Sequence, residues 1–211
     1  MKARVIVADP PWAFGDGLTM SDVKRGADSV YQGVLNVDAL CALPVQSVAD
    51  DNCVLALWFV SSQPEEGLRV MKAWGFDQKQ IWTWAKLTST TKPPPLGHLP
   101  RNTKYGDAKM HFGMGRLARN CTENLYIGTR GKVYGALRDK AQRNLFFAPA
   151  TKHSTKPEAL QDILDLMFPD PDMQRLELFG RRNREGWTVI GNEAPDTLGE
   201  DVRASLVRLA A

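Results

Sequence analysis

The chain has 211 residues and a mass of 23.5 kDa, is 43% apolar and 24% charged, and carries a net charge of +3, an ordinary globular composition that suits a single domain over residues 1–211. No apolar run approaches the roughly 20 residues of a membrane helix, and only four apolar residues separate Met1-Lys2-Ala3-Arg4 from Asp9, so no membrane span and no secretory signal is expected, and the cytoplasm is the expected compartment. Cys41, Cys53 and Cys121, with three histidines in the whole chain, show no paired ligand spacing, which argues against a disulfide framework and against any metal site.

The net charge conceals an asymmetry. Residues 86–156 hold 14 Lys and Arg against 3 Asp and Glu, a local balance of +11, so the remainder carries −8. A contiguous basic third is the electrostatic footprint of a surface for a polyanion. On charge alone a solvated basic loop without a partner reads the same way.

Residues 3–8 are continuous and β-branched, the pattern of a strand buried on both faces. Asp9-Pro10-Pro11-Trp12 follows directly. Neither imide has an N–H, each proline fixes φ at about −65°, and the residue before each is pushed out of the helical region. The lip of this strand therefore offers acceptors and no donors, with an aromatic face beside them. A planar exocyclic amine fits such a site; a proline-rich turn over a buried Trp is the plainer alternative. Residues 14–34, rich in Gly, Ser and Asp, read as a mobile loop over the site.

A short helix over residues 37–43 has Asn36 as its cap. Residues 53–60 form a second buried strand, and residues 64–74 a helix with Pro64 at its start and Gly75 just past its end. Residues 80–85 are a third strand. Strands alternating with helices of this length imply a mostly parallel, helix-covered α/β sheet. From 86 to about 115 periodicity disappears, and the cation-rich stretch is too long for an idle connector; residues 86–119 read as a basic, substrate-facing region. Strands are expected at 123–129, 144–147, 175–179 and 187–190. Helices are expected at 157–168, where Leu160, Ile163, Leu164 and Met167 share a face, and at 200–209.

In an open parallel sheet, ligands sit beyond the carboxyl ends of the strands. Asp9 ends the first strand, and Gly180-Arg181-Arg182-Asn183 ends another, where Gly180 would let a ligand approach the backbone. His153-Ser154-Thr155-Lys156-Pro157 precedes a helix and suits an anion. Gly191-Asn192-Glu193 follows the last strand. Taken singly, each has a plain reading as a cap or a solvated face.

In this order, Asp9-Pro10-Pro11-Trp12, His153-Ser154-Thr155-Lys156-Pro157-Glu158, Glu177-Leu178-Phe179-Gly180-Arg181 and Gly186-Trp187 with Gly191-Asn192-Glu193 resemble the signature of the MT-A70 adenine-N6 methyltransferases. The likeness runs from the first strand to about Glu193, and includes the strands at 55–60 and 81–86 and a loop tyrosine at Tyr31. It implies a Rossmann-like fold with helices on both faces of the sheet, a permuted motif order, S-adenosyl-L-methionine as methyl donor and the adenine N6 amine as acceptor. By carry-over, Asp9, Pro10, Pro11 and Trp12 form the catalytic motif. Lys156 binds the methionine carboxylate, with Asp9 near its ammonium. Arg181, with Asn183 or Arg184, holds the carboxylate or ribose; Asn192 and Glu193 hold the nucleoside; and Phe179 and Gly180 border the same pocket. The Arg182-Asn183-Arg184 run departs from the family pattern and blurs the ribose assignment.

Trp12 and Tyr31 are then candidates to stack on the base, and Lys86, Arg101, Lys104, Arg116 and Arg119 to meet the substrate. The expected partner is nucleic acid, DNA favoured over RNA, and a homo-oligomer is left open. The rivals are an RNA adenine-N6 methyltransferase, a cytosine-N4 methyltransferase, a catalytically silent nucleic-acid-binding partner subunit and a plain nucleotide-binding protein. Intact Asp9 and Lys156 weigh against the silent subunit.

Overall fold

A computed structural model of the chain describes residues 1–13, 35–88, 109–113, 117–150 and 155–211. The expected loop at 14–34 and most of the basic connection after residue 88 lie outside these residues. Seven strands form one sheet: β1 (Ala3–Ala8), β2 (Ala49–Phe59), β3 (Asp77–Leu87), β4 (Thr122–Arg130), β5 (Leu145–Pro149), β6 (Arg175–Leu178) and β7 (Thr188–Ile190). Their order is β5-β3-β4-β2-β1-β6-β7. β4 pairs antiparallel with both β2 and β3, and every other pairing is parallel. Six strands therefore run one way and β4 runs against them, which makes the sheet mostly parallel, as expected, with one reversal that the sequence did not announce.

The helices are α1 (Val37–Cys41), α2 (Val45–Val48), α3 (Pro64–Ala73), α4 (Ala159–Met167) and α5 (Val202–Ala210). Local chemistry sets their ends. The Asn36 side chain accepts from the Ala39 N–H at 2.8 Å, and Asp201 accepts from the Arg203 N–H at 2.8 Å, each satisfying an N–H that the helix cannot. Pro64 opens α3, where its missing N–H costs nothing, and Gly75, at φ +83°, turns the chain out of it.

Successive side chains of each strand point to opposite faces, and the core divides accordingly. Ile6, Leu55, Leu57, Leu176 and Leu178 pack with Leu40, Val70, Trp74 and Leu206 beneath α1, α2, α3 and α5. Val5, Val7, Ala56, Trp58, Trp84 and Leu125 pack with Leu160, Ile163 and Leu164 of α4 on the other face. On the first face Phe59 and Tyr126 stack at 4.0 Å between ring centroids, so close to α3 that a Cβ on Gly67 would meet both at 2.9 Å.

Several expected boundaries shift. β2 begins four residues early, at Ala49, which pairs with Ala3; the polar Asp50-Asp51-Asn52 fills an irregularity in the register before Val54 pairs with Val5. β3 extends from Asp77 to Leu87 by pairing with β4, despite a polar start. Among the described residues no helix is long and apolar enough to cross a membrane.

Candidate active site at the carboxyl edge of the sheet

The carboxyl ends of β1, β2, β3, β5, β6 and β7 lie along one edge, and the reversed β4 begins there. Asp9 leaves β1 with its backbone N–H directed to the Leu178 carbonyl of β6 at 3.4 Å. The prolines bring the chain into a tight turn in which the Trp12 N–H donates to the Pro10 carbonyl at 2.9 Å, while the Pro11 carbonyl accepts from the Leu35 N–H at 3.1 Å. Pro10 keeps its second lone pair. The Trp12 ring is only 5% exposed, and its indole N–H donates to the Trp58 carbonyl at 3.0 Å. That placement makes Trp12 the anchor of the turn, set in the core rather than at an open stacking surface.

Four charged side chains form an alternating chain along the edge. Lys156 Nζ lies 2.8 and 2.9 Å from the two Asp9 carboxylate oxygens and 3.2 Å from Glu123 Oε2. Glu123 Oε1 in turn meets Lys86 Nζ at 2.5 Å. Both ammoniums also sit over indole faces, Lys156 at 5.4 Å from the Trp58 centroid and Lys86 at 5.1 Å from that of Trp84, so the apolar wall under the chain is electron-rich. Burial pushes the Asp9 carboxyl above its ordinary value, with Lys156 pulling against it. At Lys156 burial opposes the charge, but Asp9 and Glu123 outweigh it and hold the ammonium above its usual range. At Glu123 burial is likewise outweighed by Lys156 and Lys86, which keep the carboxyl below its usual range.

The segment carrying Lys156 is held from β6–β7. Arg182 donates to the Lys156 carbonyl at 3.2 Å and pairs with Glu158 at 2.5 Å. Arg184 meets Asp162 at 2.6 Å, Asp165 at 2.9 Å and Glu158 at 3.4 Å. Arg184, weighed from the sequence as a ribose contact, is thus engaged in fastening α4. Arg181 pairs with Glu193 at 3.6 Å across the ends of β6 and β7. Asn183 and Asn192 are exposed, and Phe179 holds φ at 64°, a left-handed backbone unusual for a residue with a side chain. Gly180 has a packing reason: a Cβ there would fall 2.2 Å from Val189 Cγ1. Beneath it, burial raises the Glu177 carboxyl, which accepts from Gln161 at 3.0 Å.

Of the residues singled out by sequence, Asp9 and Lys156 are in direct contact, Lys86 joins them through Glu123, and Arg181 meets Glu193. Arg119 is exposed beside Phe112. Tyr31, Arg101, Lys104 and Arg116 lie outside the described residues. Glu123 was missed. It reads as the first residue of an ordinary strand, and only the reversal of β4 sets it at the carboxyl edge beside Lys156; its sole signal is to be one of three carboxylates in the basic third. Among the described residues no three His, Cys, Asp or Glu side chains are grouped to hold a metal ion.

The edge thus offers a ligand with charged and polar ends a cation, a carboxylate and an Arg–Glu pair. The family model described as MT-A70 matches residues 3–193. Among curated proteins, the chain is 29% identical to the Type II methyltransferase M.MunI of Mycoplasma sp, over 92% of this chain and 79% of that one. It is 27% identical to the N(6)-adenine-specific methyltransferase METTL4 of Homo sapiens, over 90% of this chain and 37% of that one. It is 26% identical to the N6-methyladenosine RNA methyltransferase MTA1 of Cryphonectria parasitica, over 90% of this chain and 51% of that one. The chain thus spans most of the first relative and about half or less of the other two.

Proposed function

Because the chain belongs to the MT-A70 family, we propose that it is an S-adenosylmethionine-dependent methyltransferase acting on the exocyclic N6 amine of adenine in DNA. The observation that carries this reading is the Asp9–Lys156 ion pair, 2.8 Å at its closest, at the edge where the strands end. Lys156 is the cation for the cofactor's carboxylate and Asp9 the acceptor near its ammonium. Arg181 and Glu193, with Phe179, Gly180, Asn183 and Asn192 around them, border the nucleoside end. S-adenosylmethionine, when bound, supplies a methyl group made electrophilic by a sulfonium.

The chain's own residues act on the acceptor. Adenine's amine is a poor nucleophile because its lone pair is delocalised into the ring. Asp9 and the free lone pair of the Pro10 carbonyl accept its two protons and draw the nitrogen toward a pyramidal shape. Pro10 and Pro11 have no N–H to compete. As nitrogen bonds to the methyl carbon it must lose a proton, and a carboxylate whose affinity for protons is raised by burial is suited to take it. A fixed carboxylate beside growing positive charge contributes roughly 3–4 kcal/mol. Trp12 keeps the acceptors in register from the core. Tyr31 is left to stack on the base, and Lys86, Arg101, Lys104, Arg116 and Arg119 to hold the strand. The base leaves its helix to reach this edge.

DNA is preferred because the relative matched over most of both chains is a Type II methyltransferase, whereas the one named for RNA is matched over about half its length. The test is transfer of a labelled methyl group to duplex DNA, single-stranded DNA and RNA, followed by digestion to nucleosides. Label in N6-methyldeoxyadenosine is the expected result; label in a cytosine nucleoside, or in ribonucleosides alone, overturns it, and DNA binding without transfer points to a silent partner subunit. Asp9→Asn should lower the transfer rate at least about 100-fold, the scale for losing one aimed group, with a much smaller loss of cofactor affinity. Lys156→Ala should show the reverse balance, with cofactor affinity down about tenfold or more.

A further inference from the structure

Among the described residues, the fold leaves one large ring near the carboxyl edge uncovered. Phe112 is 75% exposed, and the Arg119 guanidinium carbon lies 4.8 Å from its centroid. Backbone bonds attach this pair to the active-site strands. The Thr88 N–H donates to the Lys109 carbonyl at 2.9 Å, the His111 N–H to the Lys86 carbonyl at 2.8 Å, and the Gly113 N–H to the Asn120 carbonyl at 3.0 Å. Leu87 and Met110 form an antiparallel bridge, and the Lys86 N–H donates to the Cys121 carbonyl at 2.8 Å. Phe112 and Arg119 therefore stand on a short ladder that prolongs β3 and β4 beyond Lys86 and Glu123. Among the described residues the other exposed ring of the basic third, Tyr134 at 67%, follows the far end of β4 and lies at the opposite edge.

We infer that Phe112 and Arg119 are a stacking platform for a nucleobase of the DNA strand that carries the target adenine. The inference rests on the reading of the site as a DNA methyltransferase and adds how the strand is held: unpaired, with a base lying on Phe112. Every base has a π face, so the contact is independent of sequence, and its affinity comes from stacking while the phosphates meet cations. Arg119 serves both ends, lying over the ring and carrying charge for a neighbouring phosphate. Lys109, also exposed, adds a second cation on the same ladder. An apolar ring among cations suits a polyanion with flat faces better than a protein surface, whose contact cores are poor in Lys.

The experiment measures the affinity of labelled single-stranded DNA, and of RNA of the same sequence, across a salt series for the wild type, Phe112→Ala, Phe112→Trp and Arg119→Ala. Phe112→Ala should weaken DNA binding roughly 5- to 100-fold at every salt concentration, leaving the slope of log affinity against log salt unchanged. Phe112→Trp should restore it, and Arg119→Ala should reduce the slope by about one. Binding of Phe112→Ala within twofold of the wild type overturns the platform; so does a loss that Trp does not repair and that comes with a lowered melting temperature, or a loss seen on RNA alone. A wild type that transfers methyl groups while Phe112→Ala binds normally sinks the platform only. A wild type that transfers none, yet binds DNA through Phe112, sinks only the methyltransferase reading.

Discussion

At Glu123 one carboxylate faces two ammoniums, and its side chain is 32% exposed, against 19% for Lys156 and 18% for Lys86. Glu123→Gln keeps the shape and removes the charge, leaving both cations facing a neutral amide; the expected cost is roughly 1–3 kcal/mol at neutral pH. Because the Glu123 carboxyl lies below its ordinary value in the fold, its stabilisation is complete above the usual carboxyl range and is lost as pH falls through the lowered value. Asp9 is shifted the other way, so protonating it in acid favours the fold and blurs the wild-type curve. Thermal melts of wild type and Glu123→Gln from neutral to acid pH isolate the effect: their difference should be largest at neutral pH and shrink toward acid. A constant or widening difference would refute the role given to Glu123. Asp9 and Lys156 were legible from the sequence because unusual neighbours mark them, two imides in one case and a pre-helix turn in the other. Glu123 has no such neighbour, and its position depends on the direction of a strand.

Among the elements, β6 and β7 show how closely backbone segments cross at the carboxyl edge. A Cβ on Gly191 would lie 2.8 Å from the Gly180 carbonyl, and one on Gly180 would lie 2.2 Å from Val189 Cγ1. Gly180→Ala should therefore destabilise the protein by about 1–3 kcal/mol, the usual cost of overpacking, and adding Val189→Ala should recover part of it in urea unfolding. No recovery would mean that Gly180 is needed for another reason, such as the close ligand approach first read from the sequence. The periodic elements were readable: β1 has its expected bounds, Asn36 and Pro64 open helices as expected, and Leu160, Ile163 and Leu164 face the core from α4. The early start of β2 and the polar start of β3 were not: Asp50 and Asp51 lie in an irregular stretch between the Ala49–Ala3 and Val54–Val5 pairs, and Asp77 and Gln78, of poor strand propensity, are held opposite Thr129 and Gly128 of β4.

Across the whole molecule the largest asymmetry of charge is the basic third, with 14 cations and 3 carboxylates in residues 86–156. DNA binding should weaken steeply with salt, each neutralised phosphate adding about −0.9 to the slope of log affinity against log salt; a slope near zero would remove the electrostatic role assigned to this region. The antiparallel course of β4 has one more consequence. The connection from β3 to β4 both starts and ends at the carboxyl edge, where Thr88, Lys109, His111 and Cys121 still bond to one another or to Lys86. Since loop closure grows costlier only slowly with length, the number of residues between Thr88 and Lys109 can change while the ladder on Lys86, and Asp9 and Lys156 beside it, keep their places. Length changes there would leave the Asp9–Lys156 pair and the strands under it as they are.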